Sequence, residues 1–425
     1  MARLIRRWRI RPTTLPTWTL KSLFDRETAS RARCDSIKLS SEIWLRRTVF
    51  RGSSKRKSSF AAIPDHGCTA QPRNSKSMKT IRFHSYGGPE VLQLDDLPVP
   101  EPGAGEALVR VLNAGVNFVD VYQRTGFYRT PIPCTLGSEG AGVVERVGSK
   151  AKLQPGTRVA WPSQLGSFAE FLVAPARKLV PVPENVADRS AAGALLQGIT
   201  AQYLSETTYP VGKKTVALVH AGAGGTGRLL IQLLKKKGAR VFTTVSTDEK
   251  AKIAREAGAD EIILYTQTDF VQAVEDLTKG KGVHVVYDSV GKSTYEGSMS
   301  VLRPLGTLAL FGQSSGPVPP IDPMRLTASG SIFLARPSLQ HHIADPRSLK
   351  TRGTKVLNWV ADGSLKLHIE RSYPLADVAQ AYRDLEGRKT TGKLLIEVAS
   401  GGSPEGNLLV SDAQKAPQSE GAATG

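Results

Sequence analysis

The feature that most constrains this chain is a glycine-rich turn at residues 222–227, which reads Gly-Ala-Gly-Gly-Thr-Gly. An apolar run at 216–220 precedes it, and leucines that recur on one face of a helix follow it between 229 and 234. This order of strand, Gly-x-Gly-x-x-Gly turn and helix is typical of dinucleotide binding. The glycines allow the tight turn, the approach of a pyrophosphate and close packing of helix on strand, and the helix N-terminus offers free N–H groups to the phosphates. The turn residues expected to contact a dinucleotide are Gly222, Gly224, Gly225, Thr226 and Gly227.

Apolar strands alternate with amphipathic helices after residue 213, which indicates an α/β fold with a parallel, doubly wound sheet of the Rossmann type. The predicted strands are 215–220, 241–246, 261–265, 283–288, 307–311 and 331–335, and the predicted helices include 248–256 and 269–277. The preceding segment, 78–198, is rich in Gly, Pro and Val. Its short alternating runs, such as 107–111 and 142–147, predict a compact β-domain.

The basic charge of the chain is concentrated in its first fifth. Residues 1–77 carry 18 Lys and Arg against 5 Asp and Glu, a net charge of +13, and the rest carries 39 against 33, a net charge of +6. The body therefore gives little support for a nucleic-acid partner. An Arg- and Ser-rich, acid-poor leader predicts a transit peptide and a chloroplast or mitochondrial location. The alternatives are a non-functional extension before a start at Met78, with a cytoplasmic protein, and an arm that binds nucleic acid.

Composition excludes other classes of protein. No apolar run reaches the roughly 18–20 residues that span a bilayer, so no membrane span is expected. Cys34, Cys68 and Cys134 form no Cys-x-x-Cys pair, which excludes a disulfide scaffold and a cysteine-rich zinc module. The histidines form no zinc-ligand cluster with cysteine, so we expect no metal. The small, polar residues from 399 to 425 predict a disordered tail.

The end of the second strand of the α/β domain distinguishes NAD from NADP. NAD-binding domains usually place a carboxylate there, about 20 residues after the glycine turn, to hold the ribose 2′-hydroxyl. Here the strand ends at Ser246, which cannot repel a 2′-phosphate, and Lys250 follows within reach to neutralise one. Asp248 is interpreted as a capping or first-turn residue of the next helix. These residues favour NADP(H) as the cofactor.

Residues 78–398 carry several further motifs. They are Tyr-Gly-Gly-Pro-Glu-Val-Leu at 86–92, Gly-Val-Asn-Phe-Val-Asp-Val-Tyr at 115–122, Gly-Phe-Tyr at 126–128, Gly-Ser-Glu-Gly-Ala-Gly at 137–142, Val-Val-Tyr-Asp-Ser-Val-Gly at 285–291, Phe-Gly-Gln-Ser-Ser-Gly at 311–316 and Arg-Pro-Ser-Leu at 336–339. With these motifs the chain resembles the medium-chain dehydrogenase/reductase superfamily, and within it the zinc-free, zeta-crystallin-like quinone oxidoreductases. Zinc-dependent relatives have a cysteine near Asn117 and Gly-His-Glu at the positions of 137–139. Both ligands are missing here.

The resemblance implies a GroES-like β-barrel catalytic domain beside the Rossmann domain, a cleft between them, and a homodimer. It divides the chain into a leader (1–77), a catalytic domain (78–199), a Rossmann NADP-binding domain (200–336), a return to the catalytic domain (337–398) and a tail (399–425). The final segment would contain an amphipathic helix around 356–360 and close with a strand at 393–398.

The resemblance also assigns site residues. Beside the nicotinamide it places Asn117, Phe311, Gly312, Phe333 and Leu334, and in the substrate pocket Tyr122 and Tyr128, with Asp120 nearby as a possible brace of the loop. Around the 2′-phosphate it places Ser246, Lys250 and Arg388, and on the adenosine side Tyr265. Gln197 stands where close relatives commonly have a lysine. That departure puts one cofactor contact in doubt, although an amide can still reach a ribose or the nicotinamide.

Three functions are consistent with these patterns. The first is metal-free hydride transfer from NADPH to a quinone, with Asn117, Tyr122 and Tyr128 at the reacting end and no clear acid–base pair. The second is NADPH-dependent reduction of an activated C=C bond in an enal or enone, since the chemistry is similar. The third is an RNA-binding or structural protein that holds NADPH as a ligand. The substrate expected for the first two is a small quinone or enone.

Overall fold

The structure, a computed structural model, describes residues 76–398, so the predicted leader up to residue 75 and the predicted tail from 399 lie outside it. Within this range the strands are β1 (Ser77–Phe83), β2 (Leu92–Pro98), β3 (Glu106–Gly115), β4 (Cys134–Thr135), β5 (Glu139–Val147), β6 (Arg158–Trp161), β7 (Phe171–Pro175), β8 (Val180–Pro181), β9 (Val216–His220), β10 (Arg240–Val245), β11 (Glu261–Leu264), β12 (Val283–Asp288), β13 (Leu302–Leu310), β14 (Phe333–Ala335), β15 (Ile369–Pro374) and β16 (Lys393–Glu397). The helices are α1 (Phe118–Arg124), α2 (Asp188–Tyr203), α3 (Gly225–Lys236), α4 (Asp248–Glu256), α5 (Phe270–Thr278), α6 (Tyr295–Ser300), α7 (Pro323–Ala328), α8 (Leu339–His342), α9 (Pro346–Ala361) and α10 (Val378–Glu386).

The predicted doubly wound sheet is confirmed. Six parallel strands lie in the order β11-β10-β9-β12-β13-β14, which is the nucleotide-binding order 3-2-1-4-5-6. The strand predicted at 331–335 begins two residues later, because Gly330 (φ 96°) and Ser331 (φ 56°) form a left-handed turn before it. The strand predicted at 307–311 is longer and begins at Leu302.

The β-domain is a second, mainly antiparallel sheet. Its strands follow the order β15-β16-β3-β5-β6-β8, with β7 also paired to β3, and a smaller sheet joins β2, β1 and β4. The returning strand β16 pairs antiparallel with β3, so the end of the described chain completes the sheet that the beginning starts. This closure is the GroES-like arrangement that the resemblance implied.

Helix α2 connects the two halves. It packs against β3 and β5 of the antiparallel sheet and against α3 of the nucleotide-binding half. The domain boundary drawn at residue 199 falls inside this helix, and the described residues form one compact unit, so the boundary stays a prediction.

Burial follows the predicted pattern on α3. Leu229, Leu230, Leu233 and Leu234 are all buried against the parallel sheet, as their helical spacing predicts. In the returning segment, Val356 and Leu357 of α9 are likewise buried. No helix within residues 76–398 combines the length and apolar character needed to cross a bilayer.

Candidate active site

A cleft of about 960 Å³ lies at the carboxyl ends of the parallel strands, facing α1 and the antiparallel sheet. Ligands of doubly wound domains bind at this edge of the sheet, and the volume suits a small molecule or cofactor. The predicted site residues that line the cleft are Asn117, Tyr122, Tyr128, Gln197, Gly224, Gly225, Thr226, Gly227, Ser246, Lys250, Tyr265, Phe311, Gly312 and Arg388. Gly222, Phe333 and Leu334 are not among the lining residues.

The glycine turn is built to admit a phosphate group. Gly224 is the N-cap of α3 and begins a twelve-residue helix whose first N–H groups face the cleft. A Cβ at Gly224 would make one tight contact, at 3.2 Å from the Ala221 carbonyl oxygen, and would meet no other protein atom within 4 Å, so the rest of the space beside this backbone is free. Gly222 instead lies against Thr243, where any Cβ would collide with the threonine hydroxyl. Gly222 therefore serves strand packing behind the cleft.

Two cations lie together at the adenosine end of the cleft. The Lys250 ammonium donates to the Arg388 carbonyl oxygen at 2.7 Å, and neither side chain forms an ion pair with a carboxylate among residues 76–398. Burial and the positive charge of Arg388 lower the pKa of Lys250, against an opposing effect of Glu370. An anion placed here would relieve that repulsion. Ser246 and Tyr265 line the same end.

The capping arrangement of α4 explains why the Asp248 carboxylate does not lie where it could bind the ribose 2′-hydroxyl. Thr247 is the N-cap, and its hydroxyl accepts a hydrogen bond from the Lys250 N–H at 3.3 Å. Asp248 lies in the first turn, where a carboxylate favours the helix dipole, and it is not one of the cleft-lining residues.

Gln197 and Gly225 meet in the middle of the cleft. A Cβ on Gly225 would collide with the Gln197 amide, so the glycine leaves room for that side chain. The Gln197 Oε1 is buried and has no hydrogen-bond partner in the part of the chain that the structure describes. A buried carbonyl oxygen without a partner costs free energy, so this atom is suited to accept from a bound ribose hydroxyl or carboxamide.

Tyr122 joins the two halves of the protein at the other end of the cleft. It belongs to α1, and its hydroxyl oxygen accepts a hydrogen bond from the Gln313 N–H at 3.1 Å. Because the oxygen already accepts, its own proton is free to be donated elsewhere. Burial raises the pKa of Tyr122, which keeps it a neutral donor. Tyr128 packs edge-on against it, with 5.4 Å between ring centroids.

The nicotinamide-side loops are held by Asp288, which our sequence analysis did not assign to the site. Its backbone carbonyl accepts from the N–H groups of Phe311 and Gly312, and its buried carboxylate accepts from those of Val290 and Gly291. Asp288 is the last residue of β12 and lies within the motif at 285–291. A carboxylate at the end of a buried strand was the feature of the sequence that could have assigned it to the site.

A group of buried polar side chains lies behind the reacting end, and of these the resemblance named only Asp120, as a brace of the loop. Asp120 accepts from Ser138 at 2.7 Å and from Tyr382 at 2.8 Å, and burial raises its pKa to about 6. Next to it, Lys393 and Glu139 form an ion pair in which both side chains are fully buried. The sequence predicts Lys393 on the final strand and Glu139 in the motif at 137–142. Whether the two side chains meet depends on the pairing register of the strands, which the motifs do not determine.

Phe333 and Leu334, which the resemblance places beside the nicotinamide, are not among the residues that line the cleft, and their contact with the nicotinamide stays a prediction. Both lie on β14, the last strand of the parallel sheet, and their side chains are 60% and 38% exposed outside the cleft. Cleft residues follow the carboxyl end of a strand rather than lie within it. Arg336 and Pro337, the first residues after the end of β14 at Ala335, line the cleft.

These residues fit a phosphorylated dinucleotide. The open backbone at Gly224, the cations Lys250 and Arg388, and the Gln197 oxygen lie along one continuous cleft, and within residues 76–398 the two cations have no ion-pair partner and that oxygen has no hydrogen-bond donor. Separately, residues 76–398 contain no group of three or more His, Cys, Asp or Glu side chains arranged to hold a metal ion.

The fold and the cleft define a two-domain, nucleotide-binding dehydrogenase. Residues 103–184 match the family model of the alcohol dehydrogenase GroES-like domain, and residues 225–342 match that of the zinc-binding dehydrogenase. The chain belongs to the quinone oxidoreductase family of the medium-chain dehydrogenase/reductase superfamily, which confirms the resemblance.

Three relatives illustrate the relationship. The quinone oxidoreductase of Pseudomonas aeruginosa is 40% identical over 75% of this chain and 99% of its own length. The crystal structure of Escherichia coli quinone oxidoreductase complexed with NADPH is 37% identical, with a TM-score of 0.74 over 75% of this chain and 99% of that one. The 2-haloacrylate reductase of a Burkholderia species is 38% identical over 74% of this chain and 97% of its own length.

Proposed function

We propose that this protein is an NADPH-dependent quinone oxidoreductase. The observation that carries the proposal is the pairing of a cationic site, Lys250 and Arg388, which form no ion pair among the described residues, with a tyrosine-lined pocket at the opposite end of one cleft. The first fits a 2′-phosphate, and the second fits a flat ring that bears a carbonyl. Relatives named quinone oxidoreductase, and one solved with NADPH bound, support the same assignment.

The residues of the cleft divide the work of the reaction. When bound, NADPH supplies a hydride from its nicotinamide ring. Lys250, Arg388 and the turn at 222–227 hold the phosphates, which fixes the position of the nicotinamide half. Tyr122 directs its proton away from Gln313 and can donate it to a carbonyl oxygen on which negative charge develops. Tyr128 packs beside Tyr122 and supplies an aromatic wall for the substrate ring.

A second candidate function is reduction of an activated C=C bond. The similarity to a 2-haloacrylate reductase favours it, since that relative covers nearly the same length of this chain. The same tyrosine donor would stabilise an enolate oxygen instead of a quinol oxygen.

NADPH oxidation by the full chain against a matched substrate panel tests the proposal. The panel contains ortho- and para-quinones, a long-chain enal, a cyclic enone and 2-chloroacrylate, with NADH as the parallel cofactor. We expect the highest kcat/KM with quinones and NADPH. A higher kcat/KM with the enal, enone or chloroacrylate would move the function to alkene reduction, and no turnover with any substrate would reject both.

We also propose that the protein is a homodimer joined through β14. This strand pairs with β13 on one side, and its Phe333 and Leu334 are exposed. An apolar strand at a sheet edge is suited to pair with a second copy. Sedimentation of the full chain and of the Phe333→Lys variant tests this: the wild type should sediment as a dimer and the variant as a monomer, and an unchanged state would exclude this surface.

A further inference from the structure

The three polar groups of Lys393, Glu139 and Asn117 form a closed network behind the reacting end of the cleft. The Lys393 ammonium donates to Glu139 Oε2 at 2.6 Å, to Asn117 Oδ1 at 2.8 Å and to the Val116 carbonyl oxygen at 3.2 Å. The Lys393 and Glu139 side chains are fully buried, and of the three residues only Asn117 lines the cleft.

The network fixes which way the Asn117 amide faces. Its Nδ2 donates to Glu139 Oε2 at 2.9 Å and to the Gly115 carbonyl oxygen at 3.1 Å, so both amide protons are used. A flipped amide would place its oxygen against the Glu139 carboxylate and its N–H groups against the Lys393 ammonium. The ion pair therefore allows one orientation, and the remaining lone pair on Oδ1 is the only polar capacity of the Asn117 side chain that is still available.

The chain makes space for this network at two glycines. A Cβ on Gly115 would come within 2.8 Å of Lys393 Cε, and a Cβ on Gly193 within 2.9 Å of Lys393 Cγ. The second Glu139 oxygen, Oε1, accepts from the Leu196 N–H of α2 at 2.7 Å, one residue before Gln197. The same carboxylate thus holds Asn117 on one wall of the cleft and the helix that bears Gln197 on the other.

We propose that Lys393 and Glu139 are positioning residues that present Asn117 Oδ1 as a hydrogen-bond acceptor to the nicotinamide half of the cofactor. Asn117 Oδ1 accepts its hydrogen bond from the carboxamide N–H or from a ribose hydroxyl, because both N–H groups of the Asn117 amide already donate to other atoms. This inference rests on the proposed function for the identity of the cofactor. Two buried charges that do not touch the cofactor, Lys393 and Glu139, thus make Asn117 an acceptor rather than a donor in its hydrogen bond to the cofactor.

Ligand binding separates this role from a structural one. The variant Lys393→Met/Glu139→Gln removes both charges together, which avoids leaving one buried charge unpaired. Its affinity is measured by titration calorimetry for NADPH and for 2′-phospho-ADP, which keeps the phosphates but lacks both the nicotinamide and its ribose. We expect NADPH to bind at least tenfold more weakly than to the wild type and the fragment to bind within about twofold. Equal weakening of both ligands, or of neither, would overturn the proposal.

A double-mutant cycle tests whether the effect acts through Asn117. Asn117→Ala should weaken NADPH binding by a similar factor, and adding it to the Lys393→Met/Glu139→Gln variant should cause little further loss. Losses that multiply would show that the ion pair acts independently of Asn117. If the double variant does not fold, the nearly isosteric Glu139→Gln variant makes the same comparison, with about threefold weaker NADPH binding expected and unchanged fragment binding.

These measurements do not require quinone turnover. If NADPH binds with the expected selectivity but no quinone is reduced, the proposed activity fails and the positioning role stands. If quinone is reduced but the variants bind both ligands like the wild type, the positioning role fails alone.

Discussion

The Tyr122 hydroxyl oxygen accepts a hydrogen bond from the Gln313 N–H at 3.1 Å, and this contact links α1 to the loop after β13 across the cleft. The bond has two consequences. It braces the two halves of the protein at the substrate end, and it leaves the phenolic proton free to point into the cleft. Tyr128 has no such bond among the described residues, and its ring is more exposed.

Replacing Tyr122 by Phe is therefore expected to lower kcat with quinones by about 10²-fold, the usual effect of removing one donor to a developing oxyanion. Tyr128→Phe should change kcat less than tenfold. Tyr86→Phe is the matched control, because the Tyr86 hydroxyl bonds to the Thr130 carbonyl and does not line the cleft. Steady-state kinetics with one quinone measures all three, and equal effects of the three variants would exclude the role of Tyr122 as a donor.

Lys250→Ala is expected to lower kcat/KM for NADPH by roughly 10–100-fold and to leave that for NADH unchanged, because a charge-assisted contact with the 2′-phosphate is lost. Lys252→Ala is the control, since Lys252 lies exposed on the same helix. A parallel loss with both cofactors after Lys250→Ala would place the lysine outside the 2′-phosphate site.

Substitutions at two glycines of the turn are expected to differ in their effects, with one lowering NADPH affinity and the other lowering stability. Gly224→Ala leaves the new Cβ no closer than 3.2 Å to the Ala221 oxygen, so the variant should fold normally and lose NADPH affinity by tenfold or more. In Gly227→Ala the Cβ would collide with the same carbonyl oxygen, and the free energy of unfolding should fall by about 1–3 kcal/mol. Urea unfolding and NADPH titration of both variants check this. A destabilised Gly224→Ala variant would contradict the open space beside that backbone.

Asp120 should make stability depend on pH. Burial raises its pKa from 3.8 to about 6, despite hydrogen bonds from Ser138, Tyr382 and the Asn117 N–H and the nearby charge of Lys393. The folded state then binds more protons than the unfolded state between these values, so this group favours folding below about pH 4. The contribution is lost as pH rises through about 6.

The Asp120→Asn variant removes that titration. The unfolding free energy of the wild type minus that of the variant should be larger at pH 4 than at pH 7.5 by about 2 kcal/mol, because the pKa is raised by about two units and the unfolded state is itself partly protonated at pH 4. Urea unfolding of both proteins at pH 4 and at pH 7.5 measures this difference. A difference that does not change with pH would show that the pKa of Asp120 is not raised.

Local patterns in the sequence predicted the parallel sheet and the end of the cleft at the glycine turn, and the resemblance supplied the other predicted cleft residues. The glycine turn, the leucine face of α3 and the strand ending near Ser246 each depend on neighbouring residues, so periodicity and spacing were enough to find them. The Lys393–Glu139 pair depends on contact between β16 and the start of β5, which are more than 250 residues apart in the chain. Phe333 and Leu334 were assigned from the resemblance, and the structure describes them as exposed residues of β14 that do not line the cleft.

The most direct test of the account is the isotope effect on quinone reduction with NADPH deuterated at C4. A nicotinamide that is fixed in the cleft transfers the hydride from only one of its two faces. We therefore expect the full chain to show a primary kinetic isotope effect under single-turnover conditions with one of the two C4-deuterated diastereomers and none with the other. Equal effects with both diastereomers, or rapid quinone reduction with an effect from neither, would contradict direct hydride transfer at this site.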